Sequence, residues 1–155
     1  MEPKDNQKFQ KLSWTFSEEF YEEPEKFKKD VTEYQRELEK EKECEGWADE
    51  VVFDFPEVQI EYNALIRSKS ELLENEILIQ PNGNAFKETD DYQDVEILAK
   101  FKADDGRQFT GLEFLMKTHN QMANKWLGDH VFFEGAKKIK NSVNDLPTYS
   151  IWCGS

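Results

Sequence analysis

The sequence predicts an α+β fold: a largely antiparallel sheet with helices packed on one face, plus an N-terminal charged helix. Apolar residues recur at helical spacing in separate segments, short β-rich segments lie between those segments, and tight turns join several of the strands. The chain has 155 residues, which is enough for one apolar core. A single domain is therefore expected over 1–155, with a helical arm over 1–46 and an α/β body over 47–155.

The first predicted helix begins at Pro24, because proline suits the first helical position, and extends to about Glu43. Its apolar positions are spaced four, three and four residues apart, at Phe27, Val31, Tyr34 and Leu38. A narrow stripe on a highly charged helix indicates a surface helix that docks by one edge. Contact between this stripe and a partner chain is the alternative.

A strand over Glu50–Phe55 and then a second helix from Pro56 to Asn75 are predicted next. The helical register accommodates six apolar residues, Val58, Tyr62, Leu65, Ile66, Leu72 and Leu73. The alternation within Val58–Tyr62 also suits a strand. A helix is preferred because its register accounts for more of the apolar residues.

Strands and turns follow in the middle of the chain. Glu76–Gln80 and Val95–Lys102 are predicted strands, and Pro81–Asn84 has the composition of a turn. Ala103–Gly106 is a strong hairpin signal, from which Arg107–Phe109 would return the chain.

The C-terminal third contains the clearest helix of the sequence. Thr110 is predicted to cap it, Glu113 to complete a capping box, and Gly128 to end it. Its apolar face consists of Leu112, Leu115, Met116, His119, Ala123 and Trp126. Strands over His130–Lys138 and Pro147–Cys153 are expected to follow.

The charge balance bears most directly on function. The chain carries 33 acidic and 20 basic residues, a formal net charge of −13. Such a chain repels polyanions, so neither nucleic acid nor an anionic membrane is expected as a partner, and a basic protein partner is favoured. No apolar run has the length of a membrane helix, and residues 1–12 lack the apolar region of a signal peptide, so a cytoplasmic protein is expected. The oligomeric state is left open.

Clusters of acidic residues are the candidate partner-binding surface. One set follows the first helix, at Glu37, Glu41 and Glu45, and the other lies in an acidic loop, at Glu88, Asp90, Asp91 and Asp94. Carboxylates at such positions would form charge-assisted pairs with arginine and lysine of a partner. The alternative is a surface that is charged only for solubility.

No cofactor and no metal are expected. Cys44 and Cys153 are interpreted as two unrelated reduced thiols, because their spacing with the histidines fits no zinc pattern and nothing indicates an oxidising compartment. The acidic segments at 90–94 and 104–106 lack the spacing of an EF-hand.

The histidines give the only hint of acid–base chemistry. His119 falls on the apolar face of a helix, where a packed, hydrogen-bonded residue is expected. His130 and Glu134 share a strand face by period two and would form a catalytic pair or a structural hydrogen bond. No other catalytic arrangement can be placed, so a non-enzymatic protein is predicted, with a small enzyme that uses His130 and Glu134 as an alternative.

The segments Gly128–Gly135 and Thr148–Ser155 are similar to the C-terminal part of small acidic bacterial proteins of the toxin-immunity type. The resemblance implies a protein that binds and occludes a basic, nuclease-like toxin domain, and it transfers no site residues. A nucleic-acid mimic that inhibits DNA-binding proteins is the other interpretation of the same charge.

Overall fold

The computed structural model describes residues 7–79, 86–141 and 143–155. Within these ranges the helices are α1 (Pro24–Glu37) and α2 (Gly111–Ala123), and short 3-10 turns cover Glu41–Cys44 and Lys69–Glu71. The strands are β1 (Gln7–Lys8), β2 (Trp14–Thr15), β3 (Val51–Phe53), β4 (Glu57–Ile66), β5 (Glu76–Ile79), β6 (Gln93–Lys102), β7 (Phe109–Thr110), β8 (Phe132–Ile139) and β9 (Thr148–Gly154). The turn expected at Pro81–Asn84 lies outside the described residues.

The strand pairing confirms the α+β fold class. One seven-stranded sheet has the order β1-β8-β9-β4-β6-β5, with β2 also paired to β8, and β3 pairs with β7 in a separate two-stranded sheet. The sheet is largely antiparallel, and β4 and β9 form its parallel pair. Neither helix of the described ranges combines the length and apolarity that a membrane crossing requires.

The helix predicted from Pro56 to Asn75 is wrong, because the first half of this segment is the central strand β4. Its even-numbered residues from Val58 to Ile66 face the core and are at most 2% exposed. β4 pairs with β6 over ten residues, from Glu57↔Lys102 to Ile66↔Gln93. The β-branched and aromatic residues at alternate positions fit this pleated surface better than a helix, and the short-range alternation was the correct signal.

The prediction that the turn at Ala103–Gly106 joins two paired strands is also wrong. The turn forms, with Gly106 at φ +72°, but the returning strand β7 pairs with β3 instead of with β6. The local sequence specifies the turn, whereas the choice of partner depends on β3, a strand more than fifty residues earlier in the chain.

The helix α2 begins where predicted and ends earlier. Thr110 Oγ1 accepts a hydrogen bond from Glu113 N at 3.1 Å. The Glu113 carboxylate does not complete the capping box but accepts from Asp104 N at 2.8 Å and pairs with Lys117. The amides of Gly111 and Leu112 instead donate to backbone carbonyls of the 46–50 turn. The helix ends at Ala123, five residues before Gly128, where its end was expected.

The charged helix α1 begins at Pro24 and ends at Glu37, several residues before the expected Glu43. Glu39 follows with a positive φ of 59°, which interrupts the helical register. The stripe is only partly buried, since Phe27 and Val31 are fully buried and Leu38 is 47% exposed. Residues before α1 form β1 and β2, which were not predicted.

Both helices lie on one face of the sheet. The ring of Phe114 in α2 contacts the rings of Phe101 and Phe53 at centroid distances of 6.1 and 4.8 Å. Phe27 of α1 contacts Trp14 at 5.5 Å and His119 of α2 at 5.6 Å. Residues of the predicted arm and of the predicted body therefore share one aromatic core.

A cleft between two strands and its acidic, aromatic rim

A cleft lies where β4 and β9 separate. β9 pairs with β4 only from Gln59↔Thr148 to Glu61↔Ser150, although β4 continues to Ile66. The gap that remains has a volume of about 380 Å³. Its lining includes residues from both faces of β4, so the cleft passes between the strands instead of lying on one side of the sheet.

The lining of this cleft combines apolar side chains with polar groups that include two carboxylates. The apolar lining consists of Ala64, Leu65, Met122, Leu127, Ile151 and Cys153. Asp94, Asp129, His130 and Asn63 supply polar groups, and the Asn63 amide donates to Asp94 Oδ1 at 3.4 Å. A few polar groups around an apolar wall are typical of sites that bind ligands or partner side chains.

The segment after α2 closes one end of the cleft. Leu65 N donates to Trp126 O at 2.8 Å, an isolated bridge that attaches this segment to the free edge of β4. His130 N donates to Leu127 O at 3.3 Å, and Gly128 supplies the positive φ of 66° that the turn between them requires. Gly128 thus shapes a turn beside the cleft and does not end α2.

An exposed aromatic pair adjoins the cleft. The rings of Tyr92 and Trp126 pack edge to face at 4.6 Å, and the side chains remain 42% and 50% exposed. The Arg67 guanidinium lies over the Tyr92 ring, 4.7 Å from its centroid. Exposed Tyr and Trp are the residue types that most often carry binding energy at protein interfaces.

The acidic loop predicted to bind a partner contributes Tyr92 to this aromatic pair. Asp90, Asp91 and Asp94 are exposed, and Tyr92 lies between them in sequence. Glu88 is also exposed, but its carboxylate accepts hydrogen bonds from Ser68 Oγ at 3.0 Å and Lys69 N at 3.2 Å, so it holds the loop against the 3-10 turn.

The acidic positions after α1 lie at the other end of the molecule. Glu45 is two residues from Trp47, and the Trp47 carbonyl lies against the first residue of α2. Trp126, in contrast, follows the last turn of the same helix. The 13 residues of α2 span roughly 20 Å at about 1.5 Å per residue. The two predicted sets therefore do not form one continuous patch. Glu41 is moreover paired with Arg36 at 3.0 Å, and Glu37 and Glu45 are exposed.

The structure does not bring His130 and Glu134 together. β8 begins at Phe132, so His130 lies outside the strand, and the register shift between Phe133 and Gly135 makes Glu134 a bulged residue. His130 lines the cleft, whereas Glu134 lines a separate cavity of about 110 Å³. The common cavity that the enzymatic alternative requires is absent among the described cavities. The imidazole instead lies 3.5 Å from Asp129, with both side chains exposed.

Cys153 shares the cleft with His130 but is a poor nucleophile. Burial, with a smaller contribution from Glu134, raises the pKa of the Cys153 thiol to about 12. A thiol of this pKa carries almost no thiolate at neutral pH. Burial also raises the pKa of Cys44, whose Sγ donates to Lys11 O.

The prediction that His119 is a packed, hydrogen-bonded residue is confirmed. Its ring is fully buried, Nδ1 accepts from Trp14 Nε1 at 3.0 Å, and Nε2 therefore carries the proton that is donated to Glu19 O at 2.8 Å. Burial lowers the pKa of His119, although the contact with Glu19 opposes this effect. His119 thus attaches the N-terminal segment to α2.

A buried charge network beside the cleft was missed in the sequence. The side chains of Lys125 and Glu76 are fully buried and pair at 2.8 Å, and the Tyr62 hydroxyl donates to the same carboxylate. Burial and the charge of Glu76 raise the pKa of Tyr62. No local pattern links these residues, which come from β4, from the start of β5 and from the segment after α2.

The exposed Tyr92–Trp126 pair was not predicted either. Tyr92 stands alone as an aromatic residue inside an acidic loop, which is a signal that sequence reasoning can use.

In the described ranges no group of three or more His, Cys, Asp or Glu side chains is placed to hold a metal ion. Comparison of the chain with models of protein families, with curated proteins and with solved structures finds no match.

Proposed function

We propose that this chain is a non-enzymatic binding protein of the immunity type, which neutralises a basic, nuclease-like toxin domain by covering it. The observation that carries the proposal is the exposed Tyr92–Trp126 pair, flanked by the carboxylates of Asp90, Asp91 and Asp94. Aromatic anchors bordered mainly by carboxylates, with the Arg67 guanidinium against Tyr92 as the one nearby cation described, match the anatomy of a specific interface with a basic partner.

The two parts of this surface have different physical roles. The net charge of −13 favours a basic partner, and the local aspartates attract it over a distance and speed the encounter. The aromatic rings, once desolvated against the partner, slow its release. Occlusion of the partner's active site then follows without chemistry on the part of this chain.

The aromatic pair favours a selective binder over a general nucleic-acid mimic. A mimic needs carboxylates that reproduce phosphate spacing, whereas an anchor pair requires a complementary pocket on one partner. The second interpretation predicts binding to several unrelated DNA-binding proteins, and the first predicts binding to one.

The test uses the basic domain encoded by the reading frame adjacent to the gene for this chain. Co-expression of this chain should protect cells from that domain. Tyr92→Ala and Trp126→Ala should each weaken the purified complex by at least about 30-fold in Kd, the scale of an interface hot spot. Phe20→Ala is the matched control, because Phe20 is 64% exposed and lies in the N-terminal segment, so its Kd should change less than twofold.

An adjacent frame without a basic domain, or a domain that this chain neither binds nor neutralises, contradicts the proposal. Equal effects of the Phe20, Tyr92 and Trp126 substitutions would show that the aromatic pair is not the interface.

A further inference from the structure

We infer that the cleft between β4 and β9 is an anchor pocket for an arginine side chain of the partner protein. The inference rests on the proposed function, because it takes the neighbouring Tyr92–Trp126 surface as the interface. It adds a site with its own ligand chemistry, at which one basic side chain of the partner is recognised.

Charge decides the sign of the occupant. Two carboxylates, Asp94 and Asp129, line the cleft, and its lining includes neither lysine nor arginine. Tyr62 is also a lining residue, but its hydroxyl already donates to Glu76. A cation entering the mouth is therefore stabilised, and an anion is repelled.

The backbone of β4 adds an acceptor inside the gap. Gln59 N donates to Pro147 O and Leu65 N donates to Trp126 O, so the odd-numbered residues of β4 direct their amide groups away from β6. Pairing with β9 stops at Glu61↔Ser150. Because backbone direction alternates along a strand, the carbonyl and N–H of Asn63 face the cleft, where β9 no longer pairs with them.

Shape and acceptor number favour arginine over lysine. An extended stem lying along Leu65, Met122 and Ile151 would bury its methylene groups against the apolar wall. The planar guanidinium has five donors and can face two carboxylates and a carbonyl together, whereas an ammonium is a compact, strongly hydrated charge. A volume of about 380 Å³ lies at the lower end of the range for ligand pockets and suits one long side chain.

The experiment titrates the full chain with N-acetyl-arginine-methylamide and follows backbone amide shifts by NMR. Saturable shifts are expected at Asn63, Leu65, Gly128 and His130. N-acetyl-citrulline-methylamide, which has nearly the same shape without the charge, should give no saturable shifts at these positions.

Two double variants that remove the same charge distinguish binding in the cleft from general electrostatic attraction. Asp94→Asn with Asp129→Asn should weaken arginine binding at least tenfold. Glu18→Gln with Glu22→Gln removes the same charge from exposed positions in the N-terminal segment. This control should change the affinity for the arginine probe less than twofold. Amide spectra without ligand show whether each variant retains the fold.

Equal binding of the citrulline probe, an unchanged affinity in the Asp94/Asp129 variant, or shifts spread over other acidic segments but absent from the cleft would overturn the inference. If the partner domain binds through Tyr92 and Trp126 while the arginine probe fails, this inference falls and the proposed function stands. If the probe binds in the cleft while the adjacent-frame domain does not bind, the anchor chemistry stands and the proposed partner is wrong.

Discussion

At the scale of single residues, His119 shows how burial determines a role. A histidine on an apolar helix face is either a packed residue or a reactive one. Its ring here is enclosed by Trp14, Phe16, Tyr21 and Phe27, and both nitrogens have partners. Protonation of Nδ1 would break the bond from Trp14, since two donors would then face each other.

The lowered pKa of His119 predicts that the fold loses stability in mild acid. Above the unfolded pKa of about 6.5 both states are neutral at this site. As the pH falls below that value, the unfolded chain binds the proton first, so the free energy of unfolding decreases between pH 7.5 and pH 5.5. Urea unfolding at the two pH values measures this difference.

The contribution of His119 to the pH dependence of stability must be separated from that of other titrating groups. Burial, with the charge of Glu96, raises the pKa of Glu61, so Glu61 acts in the opposite direction and stabilises the fold as the pH falls. The His119 contribution is therefore the difference between the native chain and His119→Asn, which keeps an acceptor near Trp14. An equally steep pH dependence in His119→Asn would contradict the account.

At the scale of elements, the N-terminus of α2 depends on a close backbone approach. The carbonyls of Ala48 and Glu50 accept from the first amides of the helix, and a Cβ at Gly111 would lie 2.0 Å from Trp47 O. The 46–50 turn therefore satisfies helix donors that a side chain usually caps, and only glycine fits at this position.

We expect Gly111→Ala to lower the free energy of unfolding by about 3 kcal/mol, the upper part of the range for overpacking, because a backbone atom has to move. Gly106→Ala is the control: its φ of +72° strains an alanine, but nothing lies within 4 Å of the added carbon. That change should cost about 1–2 kcal/mol. Equal midpoints in urea unfolding would show that the contact with Trp47 is not tight.

Whether an element could be predicted depended on how local its sequence signal is. β6, β8 and β9 were located to within about two residues because their alternation and flanking turns are local. β4 was missed because Leu65 and Ile66 also suit a helical register, and its pairing partners on either side lie far along the chain. The partner of β7 and the gap between β4 and β9 have no local signature.

At the scale of the molecule, the two predicted acidic sets lie near opposite ends of α2. Roughly 20 Å separate these ends, about twice the screening length of ~10 Å in 0.1 M salt. The two groups therefore act separately on a partner. Composition predicts a basic partner, but only the fold shows that the Tyr92–Trp126 pair and the cleft lie beside the Glu88–Asp94 loop.

The central claim is that the Asp90–Asp94 surface, and not the overall charge, receives a basic partner. The most direct test is the association rate of the adjacent-frame basic domain, measured by stopped flow at increasing salt. Asp90→Asn with Asp91→Asn is compared with Glu37→Gln with Glu45→Gln, which removes the same charge at the other end of α2. The account predicts a rate that falls steeply with salt and is several-fold slower only in the Asp90/Asp91 variant. Equal slowing in both variants, or a rate independent of salt, would contradict it.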